Sequence, residues 1–278
     1  MGERAALRRY ASGMTAFEHP RALVGMVHAR ALPGSPRAAL PVARIAEIAA
    51  HEARALEAAG FDALIVENMH DAPYLRDASV PEVVAAMALV TAEVVRAVRI
   101  PVGVQVLSHA ASAALAVAHA AGAGFIRVEG FVFASVSDEG LVKDACAGQL
   151  LRDRARLGAH GVRIYADLRK KHSSHAITAD LAIADWVEAA HFFGADGVIV
   201  TGSATGKPVD AAELAAARAA SPLPVLVGSG ATPSSLPALF AHAHAVIVGS
   251  SIKQDGLWSN ELCPDRMRAI VAARNAIR

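Results

Sequence analysis

Eight short apolar runs, each followed by a longer stretch with helical spacing or a turn-rich segment, constrain this chain more than any other feature. They occupy residues 23–27, 63–67, 102–106, 125–129, 162–166, 197–200, 225–227 and 245–248. Each is nearly continuous in apolar residues, the pattern of a parallel strand covered on both faces. Alanine-rich segments fill most gaps, at 42–59, 81–98, 110–121, 143–160, 181–193 and 210–219. Alanine is the strongest helix former. Glycine closes several of these segments just before the next run (Gly60, Gly122, Gly161, Gly194), whereas Pro101 and Pro224 lead into two others. Glycine there supplies the left-handed residue that ends a helix. Right-handed strand–helix crossovers, repeated eight times, predict an α/β fold: a single (β/α)8 TIM barrel. An open doubly wound sheet is the alternative. It usually uses fewer strands, and no G-x-G-x-x-G fingerprint follows the first run.

With 278 residues and 54% hydrophobic content, the chain suits one large core. We expect an N-terminal extension at 1–22 and a barrel domain at 23–278. A net charge of +1 gives no global field for polyanions, so no nucleic-acid partner is expected. The arginines in 266–278 alternate with apolar residues and read as a final amphipathic helix. Two cysteines in unrelated contexts, Cys146 and Cys263, make no disulfide framework or metal motif. No apolar stretch reaches the roughly 20 residues of a bilayer span, and the first 20 residues lack a signal-like apolar region. A cytoplasmic location without membrane insertion is expected. Barrels of this kind often pair through helices, which leaves a homo-oligomer open.

The strongest chemical signal lies at the end of the barrel. Gly228, Ser229 and Gly230 follow the seventh run, before a helix expected near 233–235; Gly249 and Ser250 follow the eighth. Glycines let amide N–H groups approach an anion, and this pair of loops often holds a substrate phosphate in barrels. The blander reading is two tight turns. Thr201 and Gly202 after the sixth run, with Ser203 and Thr205 beyond, could help bind the phosphate or only satisfy the loop.

Polar residues at other run ends should converge on the same face: His28, Glu67, Asn68, Gln105, Glu129 and Asp167, with Lys170, Lys171 and His172 just after. A buried carboxylate beside a buried lysine makes an acid/base pair, because burial raises the first pKa and lowers the second. Glu67 could instead pair with a barrel cation such as Arg127, and Asp167 could cap the segment that follows. No cofactor is expected. Glu67, Asp167, His28 and His172 could hold a divalent cation, although their spacing is not a metal signature.

These residues sit in blocks that resemble the BtpA/SgcQ family: GMVHARALPGSP (25–36), VENMHDAPY (66–74), DEGLVKDACAGQLLRDR (138–154), ADLRKKHSSH (166–175), VIVTGSATG (198–206), VLVGSGATPSSL (225–236) and VIVGSSIK (246–253). The resemblance implies a ribulose-phosphate-binding type of barrel. It places the family's acidic and amide residues on Glu67 and Asn68, and its Asp…Lys-His group on Asp167, Lys171 and His172. Glu129 departs from the asparagine usual in that family, and 131–135 is also unusual; both alter the wall of the site, away from the phosphate end.

Two functions follow as expectations. The first is an enzyme acting on a small phosphorylated metabolite, of sugar-phosphate isomerase, aldolase/lyase or hydrolase type. Ser229, Gly230, Gly249 and Ser250 would anchor the phosphate, with Gly228, Thr201, Gly202 and Asn68 completing the binding set. Asp167 and Lys171 would transfer protons, Glu67 would be a second acid/base, and His28 or His172 would polarise a carbonyl. A Schiff base at Lys171 is also conceivable. The second is an assembly or stability factor of the photosystem I biogenesis type, which the resemblance implies through the cyanobacterial protein that names the family.

Overall fold

The computed structural model describes residues 21–202 and 208–277. In chain order the strands are β1 (Ala22–His28), β2 (Ala63–Glu67), β3 (Val102–Gln105), β4 (Phe125–Val128), β5 (Ser135–Ser137), β6 (Gly140–Val142), β7 (Arg163–Asp167), β8 (Ser173–Ser174), β9 (Gly197–Val200), β10 (Val225–Val227) and β11 (Ala245–Val248). The helices are α1 (Val42–Ala59), α2 (Pro81–Ala97), α3 (Ala111–Ala121), α4 (Ala147–Arg156), α5 (Ile183–Phe192), α6 (Ala211–Ala220), α7 (Leu236–Phe240) and α8 (Pro264–Asn275). Eight strands close a parallel barrel in the order β1-β11-β10-β9-β7-β4-β3-β2. The predicted (β/α)8 barrel is the fold.

Side chains on a strand alternate between faces, and here alternation separates two cores. Val24, Met26, Ile65, Phe125, Tyr165, Ile199, Leu226 and Ile247 fill the barrel interior. Their neighbours, among them Leu23, Val27, Leu64, Ile126 and Val246, pack outward against the helices. The Phe125 and Tyr165 rings meet edge to face, 5.6 Å apart, across the barrel interior. They fit because Gly103 and Gly197 lack side chains: a Cβ there would stand 2.2 Å from Phe125 and 2.4 Å from Tyr165.

Extending each inward series by one step gives the mouth of the barrel. His28 follows Met26, Glu67 follows Ile65, Arg127 and then Glu129 follow Phe125, and Asp167 follows Tyr165. Likewise Gly228 follows Leu226 and Gly249 follows Ile247. The sheet geometry therefore gathers the candidate residues at one end.

Elsewhere the structure differs from expectation in length more than in kind. The fourth helix spans Ala147–Arg156 and α7 starts at Leu236. The loops after β4 and β7 join in a small antiparallel sheet, with Val136 opposite Leu141 on one side and Ser174 on the other. Beyond β11, residues 249–263 fold back as a strap. Buried Lys253 ties it to Glu52 of α1 at 2.9 Å, and Arg30 reaches Glu261. Among the described residues no helix is long and apolar enough to cross a membrane.

Candidate active site

A cavity of about 260 Å³ opens at the C-terminal mouth of the barrel. Its lining divides into two ends built by different means.

Backbone builds the first end. Gly228, Ser229, Gly230, Gly249 and Ser250 all line the cavity. The Gly228 amide donates to Val200 O at 2.8 Å and so belongs to the barrel. A Cβ at Gly228 would stand 2.5 Å from Thr201 Cγ2 and 3.1 Å from an Arg127 nitrogen, so only glycine lets this loop sit so close. The amides of Ser229, Gly230, Gly249 and Ser250 donate to no acceptor among the described residues. Gly230 takes φ +77°, a left-handed turn that redirects the chain after Ser229. Four N–H donors without an acceptor thus stand at two neighbouring strand tips, the kind of group that is able to bind an anion. Arg266, at the start of α8, adds a positive charge to the rim.

Side chains build the second end. His28, Glu67, Arg127 and Lys171 share the cavity wall. Arg127 grips Asp167 in a bidentate pair, with Nε at 2.9 Å and an Nη at 3.0 Å from the two carboxylate oxygens. Both side chains are buried. Burial holds Asp167 above the ordinary carboxylate range, with Arg127 opposing. Lys171, by contrast, has no hydrogen bond or ion pair with another described residue. Burial first, and then the Arg127 charge, hold its ammonium below the usual lysine range, while Glu67 and Asp167 oppose. Burial pushes the Glu67 carboxyl upward, against the pull of Lys171 and Arg127. Glu67 Oε2 lies 3.7 Å from His28 Nε2. The His28 ring is driven down to about 3, mainly by burial and next by the Lys253 charge, and is neutral.

The residues expected from sequence thus separate by position. His28, Glu67, Lys171, Gly228, Ser229, Gly230, Gly249 and Ser250 meet in one cavity. Asp167, Thr201, Gly202 and Asn68 stand behind it. Asp167 holds Arg127, the Thr201 hydroxyl donates to Arg169 O, and the Gly202 amide donates to Ser229 Oγ at 3.3 Å. The Asn68 amide is fully engaged, donating to Asp71 and Leu107 O and accepting from Leu107 N. His172 lies apart, exposed on the rim with Nδ1 3.9 Å from Asp138. Ser203 and Thr205 lie outside the described residues. Lys170 turns away from the cavity to Glu139 at 2.7 Å and Glu129 at 3.7 Å. Among the described residues no three His, Cys, Asp or Glu side chains are grouped to hold a metal ion, and the four raised as cation ligands form no such group.

Sequence reading missed Arg266 and Trp258. Arg266 looked like one more solvated helix charge, and no local signal marks Trp258, a strap residue whose main-chain oxygen lies 3.1 Å from His28 Nδ1. The pairing of Arg127 with Glu67, one of two readings open for that carboxylate, is not the one formed. Arg127 partners Asp167 instead, because both are inward-facing on neighbouring strands, where Arg127 pairs with Tyr165 in register.

Comparison with known proteins places this architecture. Residues 19–276 match the model of the BtpA family. A mitochondrial protein of Caenorhabditis elegans is 42% identical over 91% of this chain and 93% of its own length. The photosystem I biogenesis protein BtpA of Synechocystis is 38% identical over 92% of this chain and 89% of its own. Among solved structures, phosphoribosyl anthranilate isomerase of Thermus thermophilus matches with TM-score 0.57 at 12% identity, covering 92% of this chain and all (100%) of that one. Orotidine 5'-phosphate decarboxylase of Pyrococcus horikoshii matches with TM-score 0.56 at 13% identity, covering 91% and 100%. At such identities the structural likeness is one of fold alone, a TIM barrel. The sequence likeness is closer, and by it this chain is a member of the BtpA family.

Proposed function

We propose that this chain is an enzyme that moves protons on a small phosphorylated metabolite, of the sugar-phosphate class. One observation carries the reading: a single cavity joins four unengaged amides to a half-buried lysine that has no ion-pair partner among the described residues. The amides suit a phosphate dianion, which needs several donors at once. A phosphate held there supplies binding energy remote from the reacting atoms and orients them at the other end.

The second end suits acid–base chemistry. Desolvation favours the neutral amine of Lys171, a base, and the protonated carboxyl of Glu67, an acid. Lys171 would take a proton from carbon or from a hydroxyl, and Glu67 would give one to the oxygen that gains charge. The first choice yields isomerisation and the second aldol cleavage. Asp167 has a supporting part, because its two oxygens hold Arg127 in place.

The name of the Synechocystis relative motivates a second reading, a part in photosystem I assembly. Relatives of similar identity in a worm and in Pyrococcus abyssi belong to organisms without photosystem I, which favours a more general chemistry. Thermal-shift screening against phosphorylated metabolites tests the choice, and hits then go to turnover assays. We expect inorganic phosphate and several sugar phosphates to raise Tm. Lys171→Met should keep the fold and lower turnover about 10²–10⁴-fold, the usual reach of a general acid–base residue. A panel without a single Tm rise contradicts the enzyme reading and leaves assembly.

A further inference from the structure

We propose that His28 determines specificity by accepting a hydrogen bond from a substrate hydroxyl, so that the substrate is a phosphorylated polyol or sugar hydroxylated near its phosphate. The inference rests on the phosphate reading above and deepens it.

The position of one proton decides what His28 can do. His28 Nδ1 lies 3.1 Å from the main-chain carbonyl oxygen of Trp258. A carbonyl only accepts, so the hydrogen bond requires the proton on Nδ1. A neutral imidazole has one N–H, and Nε2 is left with a lone pair. That atom faces the cavity: His28 lines it, and Nε2 comes within 3.7 Å of where a Cβ at Gly249 would stand. The acceptor therefore sits beside the anion cradle. On its other side is Glu67 Oε2 at 3.7 Å, beyond direct hydrogen-bond reach.

The tautomer is imposed by main chain that is itself held in place. Trp258 belongs to the strap, where Gln254 N donates to Glu261 O at 2.9 Å and Cys263 N to Ile252 O at 2.8 Å. Lys253 pins the same strap to Glu52. The Trp258 ring lies against His70 at 5.0 Å and meets His28 edge-on at 6.3 Å. A second ring proton is opposed by burial and by the charge of Lys253 nearby. His28 is thus a fixed acceptor, and it cannot polarise a carbonyl, the role the sequence suggested. A carbonyl oxygen or a methylene placed there leaves the lone pair unpaired. Such a loss discriminates more strongly than any apolar contact.

Calorimetric titration with inorganic phosphate, propyl phosphate and glycerol 3-phosphate tests the contact, together with long-range 1H–15N spectra of the histidine rings. We expect glycerol 3-phosphate to bind about tenfold more tightly than propyl phosphate, the value of one hydrogen bond to a buried acceptor. In His28→Phe that preference should vanish. The spectra should place the His28 proton on Nδ1 at neutral pH. Equal affinities for the two organic phosphates in the wild type would overturn the hydroxyl contact while the phosphate site stood. Absence of binding by all three ligands would remove both. A His28 proton on Nε2 would overturn the proposal by itself, whether or not His28→Phe folds.

Discussion

The two ends of the cavity are made of different material. At the tips of β10 and β11 the donors are main-chain amides, and the side chains matter chiefly by being small. At the tips of β1, β2, β4 and β7 the chemistry belongs to ionisable side chains, most of them buried. Backbone donors have fixed dipoles and no pKa, so the cradle itself does not titrate and should tolerate change at Ser229 and Ser250, where the side chain stays small. The charged end should be the reverse, because each member sets the charge of the next. A barrel with such a division can keep its anchor while its chemistry is altered at other strand ends.

The largest effect should come from cutting the charged end at its strongest link. Arg127→Met leaves Asp167 buried without its partner, and denaturant titration should show a loss of about 3–5 kcal/mol, the cost of breaking a buried pair from one side. A loss under about 1 kcal/mol would mean that Asp167 is neutral or solvated, since exposed pairs contribute on that smaller scale.

An effect spread over several pH units should appear with acidification. The folded state depresses the His28 pKa from 6.5 to about 3, so between those values the unfolded chain binds more protons. This one residue then makes stability fall as pH falls, by up to about 1.4 kcal/mol per pH unit. The same penalty is absent from His28→Phe, so its stability relative to wild type should improve steadily from pH 6.5 down toward 3, and a constant difference would refute the buried neutral ring. Inorganic phosphate affinity should respond least of all: Ser250→Ala keeps the amide, and calorimetry should find a change below about threefold, less than one net hydrogen bond. A tenfold loss would move the cradle from backbone to side chain.

This division also explains how much of the molecule is legible in its sequence. Barrel strands announce themselves because burial on both faces demands unbroken apolar runs, and the glycines of the cradle fall directly after two of them. Period-2 alternation even points His28, Glu67 and Asp167 inward. Pairing is harder to see. Arg127 and Asp167 are 40 residues apart in sequence, and their contact follows only from strand order and register. The sheet of β5, β6 and β8 has strands of two or three residues, too short for a periodic signal. Trp258 contributes its carbonyl oxygen, a group every residue carries, so no side-chain pattern could mark it. Arg266 resembles its neighbours on α8 and differs only in where the helix begins.

The central claim is that the tips of β10 and β11 hold one anion between them through main-chain amides. Titration of the 15N-labelled protein with inorganic phosphate measures this directly. The amide resonances of Ser229, Gly230, Gly249 and Ser250 should shift together along one binding curve, and Gly249→Asp, which adds a carboxylate beside Met26 and His28, should abolish the shifts. Shifts confined to the arginines of α8, or two loops titrating with different constants, would contradict the account.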